Sequence, residues 1–216
     1  YPMGEELQTT KYQGTAGIKL NFLNKVLYSI REGSFKLLVS GGVNSDSKII
    51  INRNIMDRVN KIAPFLSYDE DPYAVVVNGK IYYIIDGYTT TKYFPYAEPF
   101  NENANYIRNS FKVIVDAYNG DVNYYIVDEK DPLVETYSKI FPKLFKPMSD
   151  MPKEFISHLR YPQTMFDIQA KMYGTYHTNQ PDIFYNREDK WEIAKQNYQG
   201  KTQVMESLYF TFELPG

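Results

Sequence analysis

Cysteine is missing from this 216-residue chain, which removes thiolate nucleophiles, thiolate metal ligands and disulfides, and leaves the redox compartment unspecified. Histidine is nearly missing as well, His158 and His177 being the only two. With no G-x-S-x-G elbow either, the sequence does not spell a nucleophile held by an imidazole base. Both histidines fall at expected helix ends, in "SHLRYP" and "TYHTNQP", where polar side chains satisfy free backbone carbonyls. No run of eighteen or more apolar residues occurs, and the opening "YPMGEELQTTKYQG" has neither a basic nor an apolar leader region. No membrane span or signal peptide is therefore expected within these residues. An excess of one charge is absent too. Lys and Arg number 24 against 26 Asp and Glu, and the cations are scattered singly, so the electrostatic footprint of a nucleic-acid binder is lacking. The loop "SGGVNSDSK", Ser40 to Lys48, fails the spacing of a phosphate-cradling loop and reads as a solvent turn.

What the chain does have is tyrosine, 21 in all, a residue that suits pleated, half-exposed surface. A chain this long can bury roughly 70% of the surface it exposes when unfolded, enough for one core without staples. In "YAVVVNGKIYYIID" and "FKVIVDAYNGDVNYYIVD" an Asn-Gly pair sits between alternating β-formers, the strongest short-range hairpin code. Two-residue turns at Asn78-Gly79 and Asn119-Gly120 would set Val77 opposite Lys80 and Val75 opposite Tyr82. In the second hairpin they would set Ala117 opposite Val122, Val115 opposite Tyr124 and Val113 opposite Ile126. Those six residues would form the core face. Lys112, Asp116, Asn123 and Tyr125 would lie on a polar outer face, as in a sheet buried on one side.

Helical spacing appears on either side. "NFLNKVLYSIREG" offers Asn21 as N-cap, Leu23, Val26, Leu27 and Ile30 as a stripe and Gly33 as a stop. A second helix is expected from about Ser47 to Ile62, although "KIII" also suits a strand. After the hairpins, Asp131-Pro132 caps and opens "PLVETYSKIF", Pro152 starts "PKEFISHL", "YPQTMFDIQAKMYGTYH" runs one face through Met165, Ile168, Gln169, Met172 and Tyr176, and Asn186 with Asp189 resembles a capping box. The expected class is α+β: an antiparallel sheet with two Asn-Gly hairpins and a helical C-terminal part. It is read as a single domain over 1–216, β-rich over 1–128, helical over 129–205, with a strand over 206–214. The chain opens at Tyr1 without Met and stops in that strand-like stretch, "LYFTFELPG", so a piece of a longer protein is expected.

The sharpest chemical candidate is the acidic run "SYDEDPY". If the first hairpin's register continues, Asp71 faces Asp86, and two facing carboxylates require a cation, a proton or an arginine such as Arg108. With Asp69 beside them, oxygen ligands for Ca²⁺ are the one cofactor option, though the spacing of a recognised calcium loop is absent. A metal-assisted hydrolase built on Asp69, Asp71 and Asp86, with Arg108 or His158 for charge stabilisation, is the enzymatic reading. The competing reading is a binding surface of tyrosines, among them Tyr82, Tyr88, Tyr118 and Tyr125, stacking on a partner or a polymer.

Three ordered blocks, "APFLSYDEDPYAVVVNGKIYYIIDGYTTTKYFPY", "NYIRNSFKVIVDAYNGDVNYYIVDEKDP" and "HLRYPQTMFDIQAKMYGTYH…FYNREDKW", resemble the signature blocks of uncharacterised protein family 0182. The family comprises large multi-pass bacterial membrane proteins without an assigned activity. The resemblance runs from about Tyr12 to the C-terminus. It implies a fragment of the soluble region at the plasma membrane, on the extracytoplasmic side. The implied partners are the transmembrane part and remaining soluble region of the parent chain, or an envelope protein or polymer. The resemblance supplies no catalytic residues to carry over. The function implied is non-enzymatic binding or scaffolding.

Overall fold

The computed structural model describes residues 12–205, 207, 209 and 210, with the backbone alone at 2–3 and 6–7. Two short antiparallel pairs occupy the N-terminal part: β1 (Pro2–Met3) with β2 (Glu6–Leu7), and β3 (Ile18–Lys19) with β4 (Lys48–Ile49). Between β3 and β4 lie α1 (Phe22–Arg31) and α2 (Lys36–Val39). The Asn21 side chain accepts the Asn24 amide at the start of α1, and Gly33, at φ +61, follows its end. The apolar stripe of α1 does not face a core. Phe22 is 81% and Ile30 71% exposed, and Ser29 is the one buried residue of the helix. Where one helix is expected over 47–62, the β-branched "KI" makes β4 and α3 (Ile55–Ile62) starts afresh, because Asn54 accepts the amides of Met56 and Asp57.

The central sheet holds β5 (Ser67–Tyr68), β6 (Tyr73–Val77), β7 (Lys80–Thr91), β8 (Tyr106–Asp116), β9 (Val122–Ile126) and β10 (Phe145–Pro147). Its order is β10-β9-β8-β7-β5, with β6 also paired to β7, and all pairs are antiparallel except β10 on β9. The sheet is thus mixed rather than purely antiparallel. Asn78 and Gly79, at φ +50 and +74, turn the chain so that Val77 lies opposite Lys80 and Val75 opposite Tyr82.

The second hairpin departs from its expected register. Val115 pairs with Val122 and Val113 with Tyr124, and Ala117 has left the ladder. Asp116 is the reason. Its carboxylate accepts the amides of Tyr118 at 2.7 Å and Asn119 at 2.9 Å, building a longer loop in which Gly120, at φ +73, takes the left-handed position. Because the slip is two residues, no side chain changes face.

Both faces of the sheet are covered, which overturns the expected one-sided burial. On one face Ile85, Phe111, Val113, Val115 and Tyr124 meet Val59 and Ala63 at α3 and Val134 of α4 (Pro132–Ile140). On the other, Tyr73, Ile84, Ile114 and Tyr125 meet Met151 and Phe155, the latter in α5 (Lys153–Ile156). The chain reaches that second face because β10 runs parallel to β9. A parallel partner requires a crossover, here through α4, after which the backbone continues beneath the sheet.

The rest of the chain forms α6 (Gln163–Tyr176), α7 (Pro181–Asn186) and an exposed antiparallel pair, β11 (Lys195–Tyr198) with β12 (Lys201–Val204). The part expected to be helical over 129–205 therefore carries strands at both β10 and β11-β12. Asn186 ends α7 instead of opening a helix, since Pro181 has already started one and Arg187, at φ +55, stops it. The strand expected over 206–214 lies outside the described residues except at 207, 209 and 210.

Candidate functional site

A bulge lies where β7 and β8 shift register between Gly87 and Tyr88: Gly87 faces Phe111 and Tyr88 faces Asn109, leaving Ser110 as the extra residue. Gly87 lets the strands approach closely there, since a Cβ would come within 3.1 Å of the Phe111 Cβ. Three buried carboxylates surround this bulge, and each accepts two or more donors from the protein. The Asp131 carboxylate accepts Ser110 Oγ at 2.6 Å, Tyr106 Oη at 3.1 Å, the Leu133 amide at 3.0 Å and Thr89 Oγ1, so the cap of α4 is also the partner of the bulge.

Asp86 and Lys112 stand directly opposite each other, both buried, and form an ion pair. Asn109 Nδ2 donates to Asp86 at 2.9 Å, and Lys112 Nζ also donates to the Arg160 carbonyl at 2.9 Å. Burial pushes the Asp86 carboxyl above its ordinary value, and the Lys112 ammonium opposes that shift. Asp69 completes the group. It accepts the Asp71 amide on one oxygen, and on the other it accepts Tyr88 Oη at 2.5 Å and the Thr164 amide at 3.1 Å. Pro162, at the N-cap of α6, supplies no side-chain cap, and Asp69 does so from the sheet. Tyr88 ionises well above the usual tyrosine range, first because it is buried and then because Asp69 is its partner.

The expected facing pair of Asp71 and Asp86 is not formed. The register changes between β5 and β6, the Asp69 amide donates to the Asp86 carbonyl at 2.9 Å, and Asp71 lies exposed. Arg108 is an exposed partner of Asp128 at 4.0 Å and joins none of the three aspartates. Among the described residues no group of three or more His, Asp or Glu side chains gathers as a metal ion would require. The tyrosines are dispersed rather than laddered. Of the four candidates, Tyr88 and Tyr125 are buried, Tyr82 is half-buried edge-on to Phe155, and Tyr118 is exposed, its ring tilted against that of Tyr12 at 4.9 Å. His158 is exposed. His177 stacks on Trp191 at 3.9 Å, with Nε2 3.3 Å from Asp189 Oδ2.

Two features escaped the sequence reading. Lys112 does announce itself, as a lone cation inside the apolar run "FKVIV". Arg160 has no such signal. Its guanidinium lies 4.3 Å from the Tyr73 ring and 4.7 Å from the Tyr209 ring, at the mouth of a cleft of about 1030 Å³ between β8 and α6. Burial pushes the Tyr73 hydroxyl up to about 12, against the pull of the Arg160 amide that it accepts. The three buried aspartates are thus held by protein donors, while among the described residues Ser29 Oγ and Ser138 Oγ are buried without a hydrogen-bond partner.

The profile of the "Uncharacterised protein family (UPF0182)" matches residues 1–216. The chain belongs to this family. It is 54% identical to a UPF0182 protein of Alkaliphilus metalliredigens, 51% to one of Clostridium botulinum strain Hall and 50% to one of Pelotomaculum thermopropionicum, in each case over the whole of this chain. It spans only 23 to 24% of the length of these UPF0182 relatives. No solved structure matches it. Among the described residues no helix is long and apolar enough to cross a membrane.

Proposed function

We propose that this UPF0182 chain is a non-enzymatic docking domain of a larger bacterial membrane protein, held on the extracytoplasmic side, and that its α1–α2 face seats against the remainder of that protein. The observation that carries the reading is the uncovered apolar surface of Phe22, Leu23, Leu27, Ile30, Phe35 and Val39 on two adjoining helices. Large apolar side chains left exposed together on adjoining helices suit an interaction site. The occupant follows from length: more than three quarters of each relative lies outside the region that matches this chain. The inward-turned carboxylates support a binding role over a catalytic one, and the membrane setting rests on the sequence resemblance.

Hydrogen exchange tests it. Amides of residues 22–39 are expected to exchange at least tenfold more slowly in the longest natural protein containing the chain than in the 216-residue chain alone. Equal exchange in the two would overturn the assignment.

A further inference from the structure

The cleft between β8 and α6 has two unlike ends. Its long wall is apolar: Leu159 also packs against the core beneath the sheet, while Met165, Ile168 and Met172 are half-buried on α6 and belong to neither core. Its polar end carries Arg108, Lys112 and Arg160 against a single acid, Asp128. Lys112 is already spent on Asp86. Arg108 meets Asp128 only at 4.0 Å, with 58% of its side chain exposed, the regime in which an ion pair is worth little. Arg160 has no carboxylate within ion-pair distance among the described residues.

Its guanidinium nevertheless has two ring contacts, over Tyr73 and over Tyr209, while its own backbone amide donates to Tyr73 Oη at 3.1 Å and its carbonyl accepts Lys112. A guanidinium held over ring faces keeps its N–H donors available, and those donors suit bidentate capture of a carboxylate or phosphate.

We propose that this cleft binds a monomeric single-chain amphiphile with one anionic head, the head on Arg160 with Arg108 beside it and the tail along Met165, Ile168 and Met172. Charge complementarity selects the head, methionine supplies an adaptable wall for a flexible tail, and the cleft volume is that of a small-molecule site. The site is separate from the α1–α2 face, and either assignment can fail without the other.

Calorimetric titration of the chain with octyl phosphate below its micelle concentration is the test, beside inorganic phosphate, octyl glucoside, octyltrimethylammonium and phosphatidylglycerol vesicles. The expected result is one saturable site for octyl phosphate, with each of the other probes at least tenfold weaker. Arg160→Gln and, independently, Met172→Glu each weaken octyl phosphate at least tenfold, while Arg53→Gln, far along the chain, leaves it unchanged. The proposal is overturned by no binding, by octyl glucoside or phosphate alone binding as well as octyl phosphate, by vesicles binding where the monomer does not, or by indifference to both cleft variants.

Discussion

At Lys112 a charge sits in the middle of a buried strand, and its removal separates two energetic terms. Lys112→Met leaves Asp86 buried and short of its cation, a change that costs about 3–5 kcal/mol. The double variant Asp86→Leu with Lys112→Met removes both charges and is expected to be more stable than Lys112→Met alone. Urea unfolding of the three proteins measures both. Tyrosine titration supplies a second prediction. Tyr73 and Tyr124 ionise at about 12 in the folded chain because both are buried, and near 10 when unfolded. The unfolded chain therefore sheds these protons first as pH rises. Stability present below pH 10 is lost between pH 10 and about 12, by up to about 1.4 kcal/mol per pH unit for each tyrosine. The last tyrosinate absorbance to appear should rise in step with the loss of folded circular dichroism, and full ionisation reached before unfolding begins would contradict this. Calcium is a third case at this scale. With Asp69 held by three protein donors and Asp86 by the Lys112 ammonium and Asn109, millimolar Ca²⁺ should move the melting temperature by less than about 1 °C, since stabilisation by a ligand requires its binding to the folded state. A larger shift that vanishes in Asp71→Asn would restore a metal site at the acidic run.

Elements were legible from the sequence where the deciding signal was local. Asn21 and the Asp131-Pro132 pair mark the starts of α1 and α4 because a cap acts on amides two or three residues away. The Asn119-Gly120 turn was misread for a reason equally local: the Asp116 side chain offers the turn amides an alternative partner, and only the folded loop shows that it wins. Asp116→Ala should cost about 1 kcal/mol, the usual worth of a capping side chain, measured as a lower denaturant midpoint with an unchanged slope. The cap of α6 could not be read at all, because Asp69 and Thr164 are 95 residues apart. Nor could the apolar wall along α6 be told from core, since helical spacing says that a face is apolar and not what covers it. Asp69→Ala should speed amide exchange at the first turn of α6 while leaving α4, capped by Asp131, at its original rate.

For the whole molecule, the contrast lies between a sheet covered on both faces and an α1–α2 layer covered by nothing in the described chain. Leu27→Glu with Ile30→Glu should leave the unfolding free energy of the chain within about 0.5 kcal/mol, as surface substitutions do. The isolated chain is expected to associate through this face as its concentration rises, read by light scattering, and the same pair should abolish that association. Association that persists in the double variant would place the adhesive surface elsewhere.

Asp69 also sets a timetable. A ribosome adding about 5–20 residues per second delivers Tyr88, 19 residues on, within about 1–4 s of Asp69, but delivers Thr164, 95 residues on, only after about 5–20 s. During synthesis Asp69 and Tyr88 can therefore meet several seconds before the helix that Asp69 caps has been made.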